Sequence, residues 1–115
     1  MSKYKSKKAV VNGISFDSKK EAARYRELML MLSAGEIKNL KLQPEFTIQE
    51  AFKTPQGDAI RAVKYRADFS YLRMVKEGVD TRWEPVVEDV KGYRTKDYEI
   101  KRKLMMGRGV KVVEI

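Results

Sequence analysis

Residues 86–92 (Val-Val-Glu-Asp-Val-Lys-Gly) place two adjacent acids and a lysine within a valine-rich segment. Valine favours β-strands, and side chains two residues apart on a strand share a face. We therefore expect Asp89 and Lys91 on one face and Glu88 on the other. A carboxylate can bind a divalent cation, and a lysine beside it can stabilise a growing negative charge. A half-exposed strand carrying a salt bridge explains the same pattern without any chemistry.

Two residue types that often perform catalysis are missing, because the 115-residue sequence contains no histidine and no cysteine. Their absence excludes thiol chemistry, disulfides, histidine general bases and histidine zinc sites. Any catalysis must use carboxylates, lysine, tyrosine or a bound metal. We expect no membrane association, since no apolar run approaches the ~20 residues of a membrane span and the N-terminus lacks the apolar core of a secretory signal.

The net charge of +9 is concentrated at the two ends of the chain. Residues 1–20 carry six lysines or arginines against one acid, and residues 91–111 carry eight against two. Residues 21–90 are nearly neutral, with eleven basic residues against twelve acids. Two basic ends around a balanced centre indicate a polyanionic partner. A basic surface that serves only solubility is the alternative.

The first third of the chain predicts a hairpin followed by a helix. Asn-Gly at positions 12 and 13 favours a tight turn between two short strands over residues 8–16. Ser18 is a good N-cap for a helix that runs to about Ala34, where a glycine follows. Glu21 lies three residues after the cap and on the inward face of this helix. It can therefore complete a capping box or belong to a functional site.

The middle of the chain predicts an antiparallel meander. A short strand over residues 37–42 precedes a second over residues 45–52, and a long strand follows from Ala59 to about Leu72. Alternation in that long strand puts Asp68 on the face opposite to four apolar residues, either in solvent or in a cleft. Proline suits the first position of a strand, so Pro85 should open the central strand. The four apolar residues are Tyr65, Ala67, Phe69 and Tyr71.

The last third predicts a second helix and a final strand. Thr95 can cap a helix over residues 96–106, and residues 110–115 follow as a strand. A strand, helix, strand order makes the last strand parallel to the central one. We expect a single α/β domain over residues 7–115 with a mixed central sheet, preceded by a basic, disordered arm over residues 1–6. Residues at positions i, i+3, i+6 and i+7 of the second helix are Tyr98, Lys101, Leu104 and Met105.

Four segments in this order resemble the PD-(D/E)XK nuclease superfamily, and the resemblance extends from residue 16 to residue 115. Within it, the chain looks most like small phage and prophage endonuclease-like proteins related to archaeal-type Holliday junction resolvases. The resemblance implies a restriction-endonuclease-like core: N-terminal hairpin, helix, antiparallel β-meander, helix and final parallel strand. Two departures are the lack of a proline before Asp68 and an aspartate at position 89, where glutamate is commoner. The segments are residues 16–22 (Phe-Asp-Ser-Lys-Lys-Glu-Ala), 42–44 (Leu-Gln-Pro), 65–69 (Tyr-Arg-Ala-Asp-Phe) and 87–92 (Val-Glu-Asp-Val-Lys-Gly).

The resemblance implies a metal-dependent endodeoxyribonuclease that acts on branched or recombination-intermediate DNA through a metal-activated water. The implied catalytic residues are Glu21, Asp68, Asp89 and Lys91. Mg²⁺ or Mn²⁺ would be bound by Asp68, Asp89 and the Val90 carbonyl, with Glu21 joining directly or through water. Glu88 remains an alternative to Asp89, because a shift of one residue would exchange them.

The expected partner is DNA, with no small-molecule cofactor. A four-way junction needs two symmetric nicks, which a twofold homodimer would supply; Met29, Leu30 and Ile37 are the candidate interface residues. The resemblance also implies a cytoplasmic location, in a bacterial host cell if a phage or prophage encodes the chain. The alternatives are a non-cleaving DNA-binding or recombination accessory protein on the same fold, and an RNA-binding accessory protein. The expected phosphate contacts are Lys3, Lys5, Lys19, Lys20, Lys96, Lys101 and Lys103.

Overall fold

The computed structural model describes residues 8–90 and 94–115, which form two helices and ten strands in a mixed α/β arrangement. The predicted arm over residues 1–6 and the predicted catalytic Lys91 lie outside the described residues. The elements in chain order are β1 (Ala9–Val11), β2 (Ile14–Phe16), α1 (Lys19–Ser33), β3 (Ile37–Leu42), β4 (Glu45–Gln49), β5 (Phe52–Lys53), β6 (Ala59–Ile60), β7 (Val63–Arg66), β8 (Phe69–Glu77), β9 (Asp80–Asp89), α2 (Lys96–Gly107) and β10 (Lys111–Glu114).

The central sheet has four strands in the order β10-β9-β8-β3. β8 pairs antiparallel with both β9 and β3, whereas β10 pairs parallel with β9 and places Val112 opposite Val87. The parallel pair follows from α2, which connects the end of β9 to the start of β10. The predicted mixed sheet and its parallel last strand are confirmed.

Helix α1 covers one face of this sheet together with the β1–β2 hairpin. Its residues Tyr25 and Leu28 are buried beside Phe16 and Phe69. The Phe16 ring centroid lies 5.0 Å from that of Tyr25 and 6.4 Å from that of Phe69. This aromatic cluster fixes the first turns of α1 over the end of the sheet where β8 begins.

Helix α2 packs on the other face, where it also contacts the β4–β7 ribbon. Tyr98 and Met105 are buried there with Val87 and Val112. Leu104, which shares the helical spacing of Tyr98 and Met105, is 46% exposed. Successive helix positions are about 100° apart, so burying Met105 turns its neighbour towards solvent.

The helix ends and the first turn follow local sequence signals, and these predictions are confirmed. Asn12 and Gly13 both have positive φ, 52° and 78°, as the predicted hairpin turn requires. The Ser18 Oγ accepts a hydrogen bond from the Glu21 amide at 3.0 Å, and the Thr95 Oγ1 accepts one from the Tyr98 amide at 3.0 Å. In the part of the chain that the structure describes, no helix is long and apolar enough to cross a lipid bilayer.

The predicted long strand from Ala59 to Leu72 is wrong, since the structure divides this region into β6, β7 and β8. β7 pairs with β4 in a separate ribbon, whereas β8 joins the central sheet. Tyr65 therefore packs on the α2 side, and Phe69 packs on the α1 side. Alternation within one strand cannot describe a chain that changes sheets.

Pro85 lies inside β9, opposite Leu72, and does not open the strand as predicted. The pairing of β10 with β9 begins at Val86. At Pro85 one side of β9 is therefore an edge, and the missing N–H breaks no ladder on that side.

Candidate functional site

Asp68 lies at an irregularity where the chain passes from β7 to β8. Phe69 is the register partner of Glu88, yet the Asp68 amide also donates to the Glu88 carbonyl at 3.0 Å. Two residues thus stand opposite one, which is the arrangement of a β-bulge. The Asp68 carbonyl accepts from the Gln43 amide at 2.9 Å. The bulge reverses the alternation, so that Ala67 faces α2 and Phe69 faces α1.

The Asp68 carboxylate is directed to the end of β9. Its Oδ2 accepts a hydrogen bond from the Val90 amide at 2.6 Å. The side chain is partly exposed and lines a small cavity of about 160 Å³ with Asp17, Gln43 and Arg66. Asp17 immediately precedes the N-cap of α1. We refer to this cavity as the Asp68 pocket; it lies at the start of α1 and the end of β9.

Three residues of the Asp68 pocket were not predicted as site residues: Asp17, Gln43 and Arg66. Gln43 has a φ of 50°, a left-handed conformation that is uncommon outside glycine and asparagine. Its Oε1 accepts a hydrogen bond from an Arg66 guanidinium nitrogen at 2.6 Å. Gln43 and Arg66 both lie in segments that carry the resemblance, but sequence spacing did not bring the two side chains together.

Asp89 is fully buried on the α2 face of β9. It shares that face with Val87, and Glu114 is its register partner on β10. Burial, then the charges of Asp89 and Glu114, raise the pKa of Tyr98, which is buried on the same side of the sheet. The alternative of a half-exposed strand at residues 86–89 is wrong, because all four side chains are buried.

Glu88 is buried on the opposite face, beneath α1. Its two carboxylate oxygens accept hydrogen bonds from the Arg24 Nε at 2.8 Å and an Arg24 terminal nitrogen at 2.7 Å. The Tyr71 hydroxyl donates to the same carboxylate. Burial and this bond raise the pKa of Tyr71 to about 12. The hydrogen bonds that Arg24 donates to Glu88 raise the pKa of Arg24. Glu88 thus joins β9, β8 and α1.

Glu21 lies in the first turn of α1, and its side chain is 5% exposed. The structure therefore places Asp68 in an open pocket, Glu21 under α1 and Asp89 on the α2 side of the sheet. Within residues 8–90 and 94–115, no group of three or more histidine, cysteine, aspartate or glutamate side chains is arranged to bind a metal ion. Lys91 lies outside the described residues, and Val90 follows β9 with its amide bound to Asp68.

The predicted phosphate contacts in the described residues lie on the two helices. Four are exposed and Lys101 is half-buried. Lys3 and Lys5 lie outside the described residues. The exposed contacts are Lys19, Lys20, Lys96 and Lys103.

Comparison with known proteins places this arrangement in a family. The model of the family described as "Protein of unknown function (DUF1064)" matches residues 1–113. The chain belongs to this family. No curated protein and no solved structure matches it. The residues of the Asp68 pocket and the ends of both helices all lie within the span that the DUF1064 model matches.

Proposed function

We propose that the chain is a metal-dependent endodeoxyribonuclease that hydrolyses phosphodiester bonds in branched or recombination-intermediate DNA. The observation that carries this proposal is the Asp68 pocket. It combines a carboxylate oriented by a β-bulge, a second acid at Asp17 and the guanidinium of Arg66. Cleavage of a phosphodiester needs an activated water and a positive group on the phosphate oxygens, and these residues can provide for both.

The chemistry of these donors suits Mg²⁺ or Mn²⁺. Mg²⁺ is usually bound by one or two carboxylates and retains several waters. Asp68 and Asp17 offer two carboxylates in one small polar cavity, which fits such an ion without a complete protein cage. When bound, the ion would acidify a water and neutralise charge on the phosphate. Glu21 and Asp89 do not line this cavity, but they remain proposed catalytic residues on α1 and β9.

The residues of the proposed site have separate tasks. The Val90 amide orients the Asp68 carboxylate by donating a hydrogen bond to it. Arg66 binds non-bridging phosphate oxygens with guanidinium donors that Gln43 does not use. Lys91, two residues after Asp89, would stabilise the negative charge that grows during attack.

A non-cleaving DNA-binding protein on the same fold is the second candidate. It is favoured by the lack of a three-acid metal group within the described parts of the chain, residues 8–90 and 94–115. A protein of this kind would have the basic surface and the Asp68 pocket but would not hydrolyse phosphodiester bonds.

The experiment that separates the two candidates is cleavage of linear, flapped and four-way DNA with Mg²⁺, with Mn²⁺ and with EDTA. We expect cleavage only with metal, and preferentially of branched DNA. Asp68→Asn should abolish it without changing the melting temperature, whereas Asp80→Asn, at the exposed end of the β8–β9 hairpin, should cleave normally. Binding without cleavage under every metal condition would establish the second candidate.

A further inference from the structure

A second cavity adjoins the Asp68 pocket on the side of α2. It lies between the β4–β7 ribbon and the first turns of α2 and has a volume of about 290 Å³. Arg66 lines both cavities, so the two lie side by side. We call the second cavity the α2 cleft. The residues of the cleft used in the argument are Lys64, Tyr65, Arg66, Lys101, Glu45 and Asp97.

The charge in the α2 cleft favours an anion. Lys64, Arg66 and Lys101 face the two acids Glu45 and Asp97. Lys64 lies 3.5 Å from Glu45 in an exposed ion pair, which already balances its charge. Arg66 uses one donor on Gln43, and a guanidinium has five. The cleft can therefore bind phosphate oxygens in a bidentate manner.

An unsatisfied hydroxyl independently indicates a ligand. Tyr65 lines the cleft, its side chain is only 3% exposed, and its hydroxyl has no hydrogen-bond partner among the described residues. Buried polar groups in folded proteins are almost always hydrogen-bonded, so an exception requires an explanation. A phosphate oxygen at the floor of the cleft would accept the bond that this hydroxyl can donate.

We infer that the α2 cleft binds a backbone phosphate of the DNA strand that enters the Asp68 pocket. This inference rests on the proposed function for the identity of the strand. A cavity of about 290 Å³ lies just below the usual range for ligand pockets, ~300–1,000 Å³, and suits one phosphodiester unit. Arg66, shared by both cavities, sets the bound phosphate beside the phosphodiester presented to Asp68.

Binding of a short fluorescein-labelled single-stranded DNA, measured by anisotropy in EDTA, tests the cleft without cleavage. We expect Arg66→Gln and Lys101→Gln each to weaken binding about tenfold, the loss of a charged hydrogen bond. The slope of log affinity against log salt should fall by about 0.7 for each. The matched controls are Arg61→Gln and Lys76→Gln, which remove exposed charges that do not line the cleft.

Tyr65→Phe distinguishes a ligand contact from a structural role. Removal of an unsatisfied buried hydroxyl should leave the melting temperature unchanged or higher, yet we expect weaker DNA binding at an unchanged salt slope. Equal affinity for cleft variants and controls would overturn the inference, even if the wild-type protein cleaves DNA with Mg²⁺. Weaker binding by the cleft variants of a protein that never cleaves would support the cleft and refute the nuclease. Preferential binding of the same sequence as RNA would overturn the assignment to DNA.

Discussion

The Glu88 carboxylate is bound on both oxygens by side chains that come from distant parts of the chain. Arg24 is 64 residues away and Tyr71 is 17 residues away. These hydrogen bonds connect β9, which carries Glu88, to α1 and β8. They also hold the backbone of the next residue, Asp89, in position, so Glu88 can support Asp89 without contacting a substrate.

We expect Arg24→Met to destabilise the protein by about 3 kcal/mol, because it leaves the Glu88 charge buried with one remaining partner. Urea unfolding measures this loss. Arg26→Met, at an exposed position on the same helix, should cost less than about 0.5 kcal/mol. The double variant Arg24→Met with Glu88→Met should cost clearly less than the sum of the single changes. Additive losses would show that the two side chains do not act as a pair.

The pKa of Tyr71 predicts a specific loss of stability in alkali. Burial and the bond to Glu88 raise this pKa from 10.0 to about 12. The folded protein therefore keeps a proton that the unfolded chain releases, and the resulting stabilisation is complete below pH 10 and is lost as the pH rises through 12.

Tyr71→Phe should make the free energy of unfolding fall less steeply between pH 10 and pH 12. Urea titrations at a series of pH values measure that slope. A residual slope is expected, because burial also raises the pKa of Tyr98. An identical slope in the variant and the wild type would mean that the Tyr71 hydroxyl keeps no proton in the folded state beyond the range of a free tyrosine.

The family resemblance predicted Asp68 and Asp89 as site residues, but neither it nor strand spacing could predict their surroundings. Alternation correctly assigned Glu88 and Asp89 to opposite faces. It could not show that both faces are covered, because this depends on helices from both ends of the chain. The Arg24 partner was equally hidden, since an arginine beside the inward position of Tyr25 reads locally as a solvated residue.

At the scale of elements, structures with local causes were predictable. The turn at Asn12 and the caps at Ser18 and Thr95 depend on residues within three positions of one another. The bulge at Asp68 depends on pairing with Glu88, twenty positions away in sequence. Pro85 is tolerated inside β9 only because β10 begins at its neighbour. No local pattern contains that information.

Helix α1 offers a test of whether Glu21 is structural or catalytic. Ser18→Ala removes the acceptor for the Glu21 amide and should cost about 0.5–2 kcal/mol with cleavage retained. Glu21→Gln keeps the shape of the side chain and should mainly reduce cleavage. Thermal unfolding and turnover are measured for both variants. If Glu21→Gln lowers only the melting temperature, as Ser18→Ala does, Glu21 does not belong to the catalytic site.

At the scale of the whole molecule, the described chain is extended. Its dimensions are 54 × 48 × 23 Å and its radius of gyration is 17.0 Å, compared with about 13 Å for a compact domain of this length. The two-stranded β5–β6 ribbon presents Phe52 and Ile60 as an exposed cross-strand pair, 48% and 39% accessible. An extended molecule with apolar side chains exposed on its ribbon has surface available for a second copy.

The predicted interface residues have different outcomes. The prediction that Ile37 lies at the interface is wrong, because its side chain is 1% exposed and belongs to the core under α1. Met29 is partly buried against the same core. Leu30 is 73% exposed and remains a candidate. The helical spacing of α1 leaves Met29 and Leu30 outside the predicted inner face, but it says nothing about Ile37, which lies on β3 and is buried beneath the helix.

We also expect the protein to form a homodimer. Two symmetric nicks in a four-way junction need two equivalent pockets, and one chain has one Asp68 pocket. Light scattering should give a mass of twice 13.4 kDa at micromolar concentration. Phe52→Ser and Leu30→Ser test the two exposed surfaces, and the variant that restores 13.4 kDa identifies the interface. Val79→Ser, at the fully exposed end of the β8–β9 hairpin, should not change the mass. A 13.4 kDa species with and without junction DNA would instead indicate a monomer that makes single nicks.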